Sequence, residues 1–227
     1  MQALVKFIPL IILVAAASCS QQEEPSLEIP GPEYFPLEKG SYITYKVDST
    51  RIIQNVETAY SFELRVSISD SFLNAEGNTT YILQREKRND ATKPWKLAGT
   101  WTAWKSESRA VVTEGNTSYI KIQFPVSNGM GWNGNALNDL GGPDICESKD
   151  CDRYEVVESD DVIVIKQDST KDPLRKDIRF ETYQKNVGLT LKESEVYEYC
   201  ATGNCFGIDF VIDGVRYKQE MIDRGTL

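Results

Sequence analysis

The sequence predicts an all-β chain: an antiparallel meander forming a strongly curved sheet, half-barrel or sandwich behind an N-terminal signal and tether. Three observations carry that expectation. From residue 37 onward apolar residues recur with period two: Phe62, Leu64, Val66 and Ile68 alternate with Glu63, Arg65 and Ser67, and Ile120, Ile122 and Phe124 alternate with Lys121 and Gln123. Such alternation sends one face of a strand to a core and the other to water. β-Branched and aromatic residues dominate these runs, as a pleated surface favours. Gly-Asn pairs stand between runs, where a tight hairpin needs positive φ, and no stretch keeps a helical period over three turns.

The first element is an address. Lys6 supplies a positive charge, and residues 7–17 form a short apolar stretch broken only by Pro9. That is well below the roughly 18–20 residues a bilayer-spanning helix needs, so residues 1–18 read as a cleaved signal. The run Val14-Ala15-Ala16-Ala17-Ser18-Cys19 resembles a bacterial lipobox. The resemblance implies a diacylglyceryl thioether on Cys19, cleavage before it and acylation of the new amine, and two or more chains anchor a protein stably. The following Ser20-Gln21-Gln22-Glu23-Glu24 resembles the acidic surface-export signal of Bacteroidota lipoproteins, and Ser20 is not the aspartate that retains many lipoproteins at an inner membrane. The expected location is the outer membrane, lipid-anchored, periplasmic or surface-exposed, with the membrane as a partner through the lipid. Residues 19–36 are polar and carry Pro25, Pro30, Pro32 and Pro36, which suits an extended tether.

Residues 37–227 form the domain. Strand patterns cover 42–47, 62–68, 81–85, 100–105, 120–124, 162–166, 178–183 and 208–212. Residues 172–178 allow a short turn. Gly77-Asn78 and Gly115-Asn116 sit in a repeated Glu-Gly-Asn-Thr turn, and Asp213-Gly214 reads as a third hairpin. The repeat is one favoured turn used twice in a meander rather than a duplication.

Composition excludes several functions. The 227 residues include 25 basic and 34 acidic side chains, a formal charge of −9 that becomes −10 when Lys6 leaves with the signal, and no histidine. A nucleic-acid partner would need clustered Lys/Arg. Absent histidine removes Ser-His and Cys-His pairs, imidazole metal ligands and the commonest general base. No cofactor or catalytic set is expected, and no spacing selects a carboxylate pair or a Ser-Lys contact for a hydrolase.

Four cysteines lie in two equally spaced pairs, Cys146/Cys151 and Cys200/Cys205. Export places them where disulfides persist. A local Cys200–Cys205 bond across Thr202-Gly203-Asn204 is easy to form, with Cys146–Cys151 beside it; crossed pairing and a four-thiolate zinc site are the alternatives. Asp139, Asp144, Glu147, Asp150 and Asp152 offer oxygen ligands for calcium without EF-hand spacing. The most unusual stretch is the glycine- and asparagine-rich loop around Trp132, Asn133 and Asn135. With Trp95, Trp101 and Trp104 it makes a candidate glycan platform, an indole for a sugar face with amides for its hydroxyls; the competing reading is that Trp132 plugs the end of the sheet.

Three segments, taken together, resemble a family of Bacteroidota outer-membrane lipoproteins. They are the opening Tyr34-Phe35-Pro36-Leu37-Glu38-Lys39-Gly40-Ser41-Tyr42-Ile43-Thr44-Tyr45, the central Trp132-Asn133-Gly134-Asn135-Ala136, and the late Thr182-Tyr183-Gln184-Lys185-Asn186-Val187-Gly188-Leu189. The family's opening strand commonly has a tryptophan where Tyr42 and Ile43 stand here. The resemblance implies a β-domain and no particular activity. A similar late motif occurs in open, curved-sheet proteins that hold apolar ligands. Asp48-Ser49-Thr50 and Asp168-Ser169-Thr170 resemble the short O-glycosylation pattern of the same phylum. The functional expectation is a membrane-anchored, non-catalytic binding or scaffold module, with glycan or lipid binding as the specific alternatives and a hydrolase behind them.

Overall fold

The structure, a computed structural model, describes residues 30–140 and 153–227. Their strands are β1 (Ser41–Ile53), β2 (Val56–Leu73), β3 (Thr79–Arg88), β4 (Lys96–Lys105), β5 (Arg109–Glu114), β6 (Thr117–Gln123), β7 (Gly131–Asn133), β8 (Arg153–Ser159), β9 (Val162–Lys171), β10 (Arg175–Gln184), β11 (Gly188–Tyr199) and β12 (Val211–Thr226). Apart from these the described residues hold only 3-10 turns at Pro32–Tyr34 and Gly203–Cys205. All twelve strands belong to one antiparallel sheet, ordered β6-β5-β4-β3-β2-β1-β12-β11-β10-β9-β8-β7. Every neighbour is a sequence neighbour except β1 and β12, which pair from Ser41 with Thr226 to Ile53 with Asp213. The antiparallel meander is as expected, and of the curved sheet, half-barrel and sandwich that the sequence left open it takes the curved form, curling into a nearly closed barrel.

The remaining seam lies between β6 and β7. The Ile120 amide donates to the Gly134 carbonyl at 2.9 Å, the Trp132 indole Nε1 to the Ile120 carbonyl at 2.8 Å, and Asn138 Nδ2 to the Ser118 carbonyl at 2.7 Å. Side chain and backbone together satisfy strand-edge groups that would otherwise invite another chain. Gly134 is required there, because a Cβ would stand 2.6 Å from the Tyr154 ring.

Outward positions of β2 and β3 carry ion pairs. Arg65 pairs with Glu86 at 2.7 Å and Arg88 with Glu63 at 2.5 Å, both arginines lying over the Trp95 ring.

Three sequence expectations are corrected. Asp213-Gly214 is no hairpin: β12 runs straight through it, and the glycine is explained by the Tyr197 ring, 2.6 Å from where a Cβ would sit. The extended chain expected through residue 36 ends earlier. Tyr34 and Phe35 are buried in the core, the Lys105 ammonium donates to the carbonyls of Pro32 and Phe35, Tyr34 donates to the Asp160 carbonyl, and the Asn186 amide donates to Glu33 O at 2.8 Å. Aromatic burial outweighs the extended preference of the prolines, and this segment crosses one end of the barrel as a plug. Lys121, expected on the water face of its strand, is 4% exposed and points inward. The β5–β6 register shifts between Ala110 and Val111, leaving Lys121 as the extra residue of a bulge.

Candidate functional site

An eight-stranded barrel is just filled by its side chains, and more strands enclose free space. Twelve strands here enclose a cavity of about 690 Å³. Inward positions of β1, β2, β3, β11 and β12 supply an aliphatic and aromatic wall that includes Ile43, Val66, Leu83, Leu189 and Tyr217. The plug contributes Phe35, Pro36 and Leu37. The exposed members of the lining are Glu38, Asn186, Arg224, Gly225 and Thr226. All belong to the end of the barrel where the N-terminal segment arrives, so the cavity opens beside the plug. At the opposite end the buried Ile52, Tyr199 and Val211 pack together.

One wall of the cavity is charged. Lys121 Nζ lies 2.8 Å from Glu114 and 3.1 Å from Glu181; Glu181, only 1% exposed, also receives Lys192 Nζ at 3.2 Å and the Tyr183 hydroxyl at 2.6 Å. Burial alone would raise the Glu181 carboxyl, but Lys121 and Lys192 outweigh it and hold the group well below the usual carboxylate range. Burial likewise opposes the Lys121 charge, and Glu181 and Glu114 override it, raising the ammonium above an ordinary lysine. Glu114 is lowered, its burial outweighed chiefly by Lys121. Desolvation raises Tyr183, reinforced by Glu181, and pushes Tyr217 up to about 12. The network is therefore fixed: ionised carboxylates, charged lysines and neutral phenols.

Arg85 on β3 stands apart from it. Its guanidinium lies over the Trp101 ring, 3.5 Å from the centroid, and its buried Nε has no hydrogen-bond partner. Among the described residues no carboxylate forms an ion pair with it. Burial depresses its pKa, with Tyr217 and Glu114 acting in the other direction.

The expected site residues fall elsewhere. Trp132 is 6% exposed, its ring edge-on to Tyr154 at 5.9 Å, and Asn133 and Asn135 hold the turn that follows, Asn133 Oδ1 accepting the Asn135 amide at 2.8 Å. The four tryptophans do not converge: Trp132 fills the seam, Trp101 faces the cavity, Trp104 packs against the core and Trp95 stacks outside. Cys200 and Cys205 form the local disulfide, their Cα atoms 5.7 Å apart. Cys19, Cys146, Cys151, Asp144, Glu147, Asp150 and Asp152 lie outside the described residues. Both candidate O-glycosylation triplets fall within strands, β1 and β9. The residues missed from the sequence are Arg85, Glu114, Lys121, Glu181, Tyr183 and Lys192. Glu114 sits in a turn motif and the others in strands without a distinguishing pattern; the one available signal was Glu181, which shares the parity of Tyr183 and therefore its inward face.

No protein-family model matches the chain, and no curated protein matches it.

Proposed function

We propose that the chain is a lipoprotein of the outer membrane, anchored through acylated Cys19, whose β-domain is a non-catalytic module binding an apolar ligand inside the barrel. The carrying observation is the cavity itself: about 690 Å³, walled by aliphatic and aromatic side chains and open at one end. Specific small-molecule sites are concave, mostly apolar, and commonly 300–1,000 Å³ with few polar groups. The opening lies at the end where the chain from Cys19 joins the barrel, so a short tether keeps the mouth near the bilayer that stores such ligands.

The non-catalytic reading draws on the same wall. A general acid needs a carboxyl kept protonated near neutrality, whereas lysines hold both Glu114 and Glu181 ionised. The sugar reading loses its platform, because the Trp132 indole face is packed against protein.

Two measurements test this. Mass spectrometry of the native protein should find residue 19 as an acylated N-terminal cysteine; an unmodified residue 19 removes the anchor. The full chain carrying Cys19→Ala should enhance the fluorescence of N-phenyl-1-naphthylamine, and Leu189→Trp in the same background should abolish the enhancement by filling the cavity. Equal enhancement with both proteins would place the dye elsewhere and overturn the ligand site.

A further inference from the structure

The cavity's charge does not balance, and the surplus resides on one group. Arg85, Lys121 and Lys192 line its interior against two carboxylates, Glu114 and Glu181. Both carboxylates are taken: Glu114 by Lys121 at 2.8 Å, Glu181 by Lys121 at 3.1 Å and Lys192 at 3.2 Å. At the mouth, Glu38 and Arg224 offset each other in sign. Among the described residues Arg85 is left with an aromatic face and no anion. This is the reverse of the chain as a whole, which carries −9.

A guanidinium stays protonated in proteins, so this one cannot relieve its desolvation by losing a proton. Its fork of donors matches an oxyanion bidentately. Around it the walls are Val66, Leu83, Trp101, Val112 and Tyr217, side chains suited to a hydrocarbon. A neutral apolar ligand would leave the charge buried and unmatched, and a cationic one would add to it. We propose that the cavity selects a single-chain amphiphile with an anionic head, its carboxylate or phosphate seated on Arg85 and its chain along the apolar wall toward the mouth. The inference rests on the cavity being a ligand site and adds the head-group chemistry. Arg85 is the specificity-determining residue, and Trp101 holds it in place from behind.

The test uses the full chain with Cys19→Ala, loaded with N-phenyl-1-naphthylamine and titrated with three competitors of equal chain length: palmitate, hexadecyl phosphate and 1-hexadecanol. A charge-assisted hydrogen bond is worth about 1.5–3 kcal/mol, at least tenfold in affinity. The anions should therefore displace the dye at concentrations at least about tenfold below the alcohol. The stronger of the two anions identifies the head as carboxylate or phosphate. Arg85→Met should bring anion and alcohol to within about twofold of each other, each displacement being referred to the dye affinity measured for that variant. Equal displacement by all three from the unsubstituted cavity would overturn the head-group assignment while leaving the ligand site standing. Displacement by none would overturn both. The comparison among competitors needs no variant, so it decides the matter even where Arg85→Met folds poorly.

Discussion

Two sides of one barrel follow the same alternation and reach opposite outcomes. Around the seam, Ile122, Tyr154, Val156, Ile163 and Ile165 are sealed from solvent and packed against Trp132. Across the interior, Ile43, Val66 and Leu189 point inward just as regularly, yet they face open space and are only partly buried. Inward orientation is a property of the strand; filling is a property of circumference and of what crosses the interior. At the seam, bulky rings occupy the space that a twelve-stranded circumference leaves. Opposite, none of the described residues does, and the charged network of Lys121 and Glu181 stands at the boundary between the two.

That boundary is where the largest stability effect is expected. Removing one partner of a buried ion pair leaves an uncompensated charge and costs about 3–5 kcal/mol. Glu181→Leu should lose that much, read from the urea midpoint, because it strips Lys192 of its carboxylate and leaves Lys121 with Glu114 alone. Adding Lys121→Met to Glu181→Leu should recover much of the loss; a double variant as unstable as the single would mean that packing, not charge, sets the boundary. The pH dependence follows from the same groups. Glu181 and Glu114 are held low in the folded chain, so the unfolded chain binds more protons in acid. Their contribution is whole above the unfolded carboxylate value, about pH 4.3, and falls away as the pH drops toward the depressed folded values. Lys121 is held high, so its contribution is whole below about pH 10.4 and declines as the pH rises toward the elevated folded value. Between those limits stability should be flat with respect to this network, and the double variant should show a shallower loss in acid.

On the filled side, Trp132→Ala removes a large core ring and the donor to the Ile120 carbonyl. A cost of about 3–5 kcal/mol is expected for such a truncation in a packed core. Loss below about 1 kcal/mol would show that the seam is as loosely occupied as the cavity wall. Farther out, the Cys200–Cys205 bond closes a short loop between β11 and β12. Cys200→Ser with Cys205→Ser should cost about 2 kcal/mol by the loop-entropy relation, and it should act on that end of the barrel without changing dye binding at the other.

Much of the sheet was legible because period-two patterning is local. The runs at 42–47, 62–68, 81–85, 100–105 and 178–183 all fall inside strands, and Gly77 and Gly115 stand in left-handed turns at φ 80° and 65°. β7 and β8 were not read as strands: Trp132 has no alternating neighbours, and the alternation of Tyr154 and Val156 with Arg153 and Glu155 spans only four residues. Nor was the cavity. Whether Lys121 faces in or out depends on a one-residue register shift in β5–β6, which no local pattern encodes. Arg85 reads from sequence as one more solvated charge in Gln84-Arg85-Glu86; only the closure of β1 on β12 puts it inside.

The smallest expected effect gives the sharpest separation of the two sides. Enlarging a side chain in a filled core forces its neighbours off their rotamers and costs about 1–3 kcal/mol. Ile165→Phe should show that cost, since Ile165 has no exposed surface and pairs across the strand with Val156 and Glu181. Leu189→Phe extends into free volume and displaces no protein atom that must move elsewhere. Its change should stay within about 0.5 kcal/mol, the range of substitutions that touch no packed feature, while N-phenyl-1-naphthylamine binding weakens as the new ring occupies the dye's space. If both substitutions cost the same and binding is unaltered, the interior is uniformly packed in solution. If Leu189→Phe is silent in stability and visible in binding, the free space belongs to the ligand, and the chain leaves it open because its own side chains are arranged around something it does not itself supply.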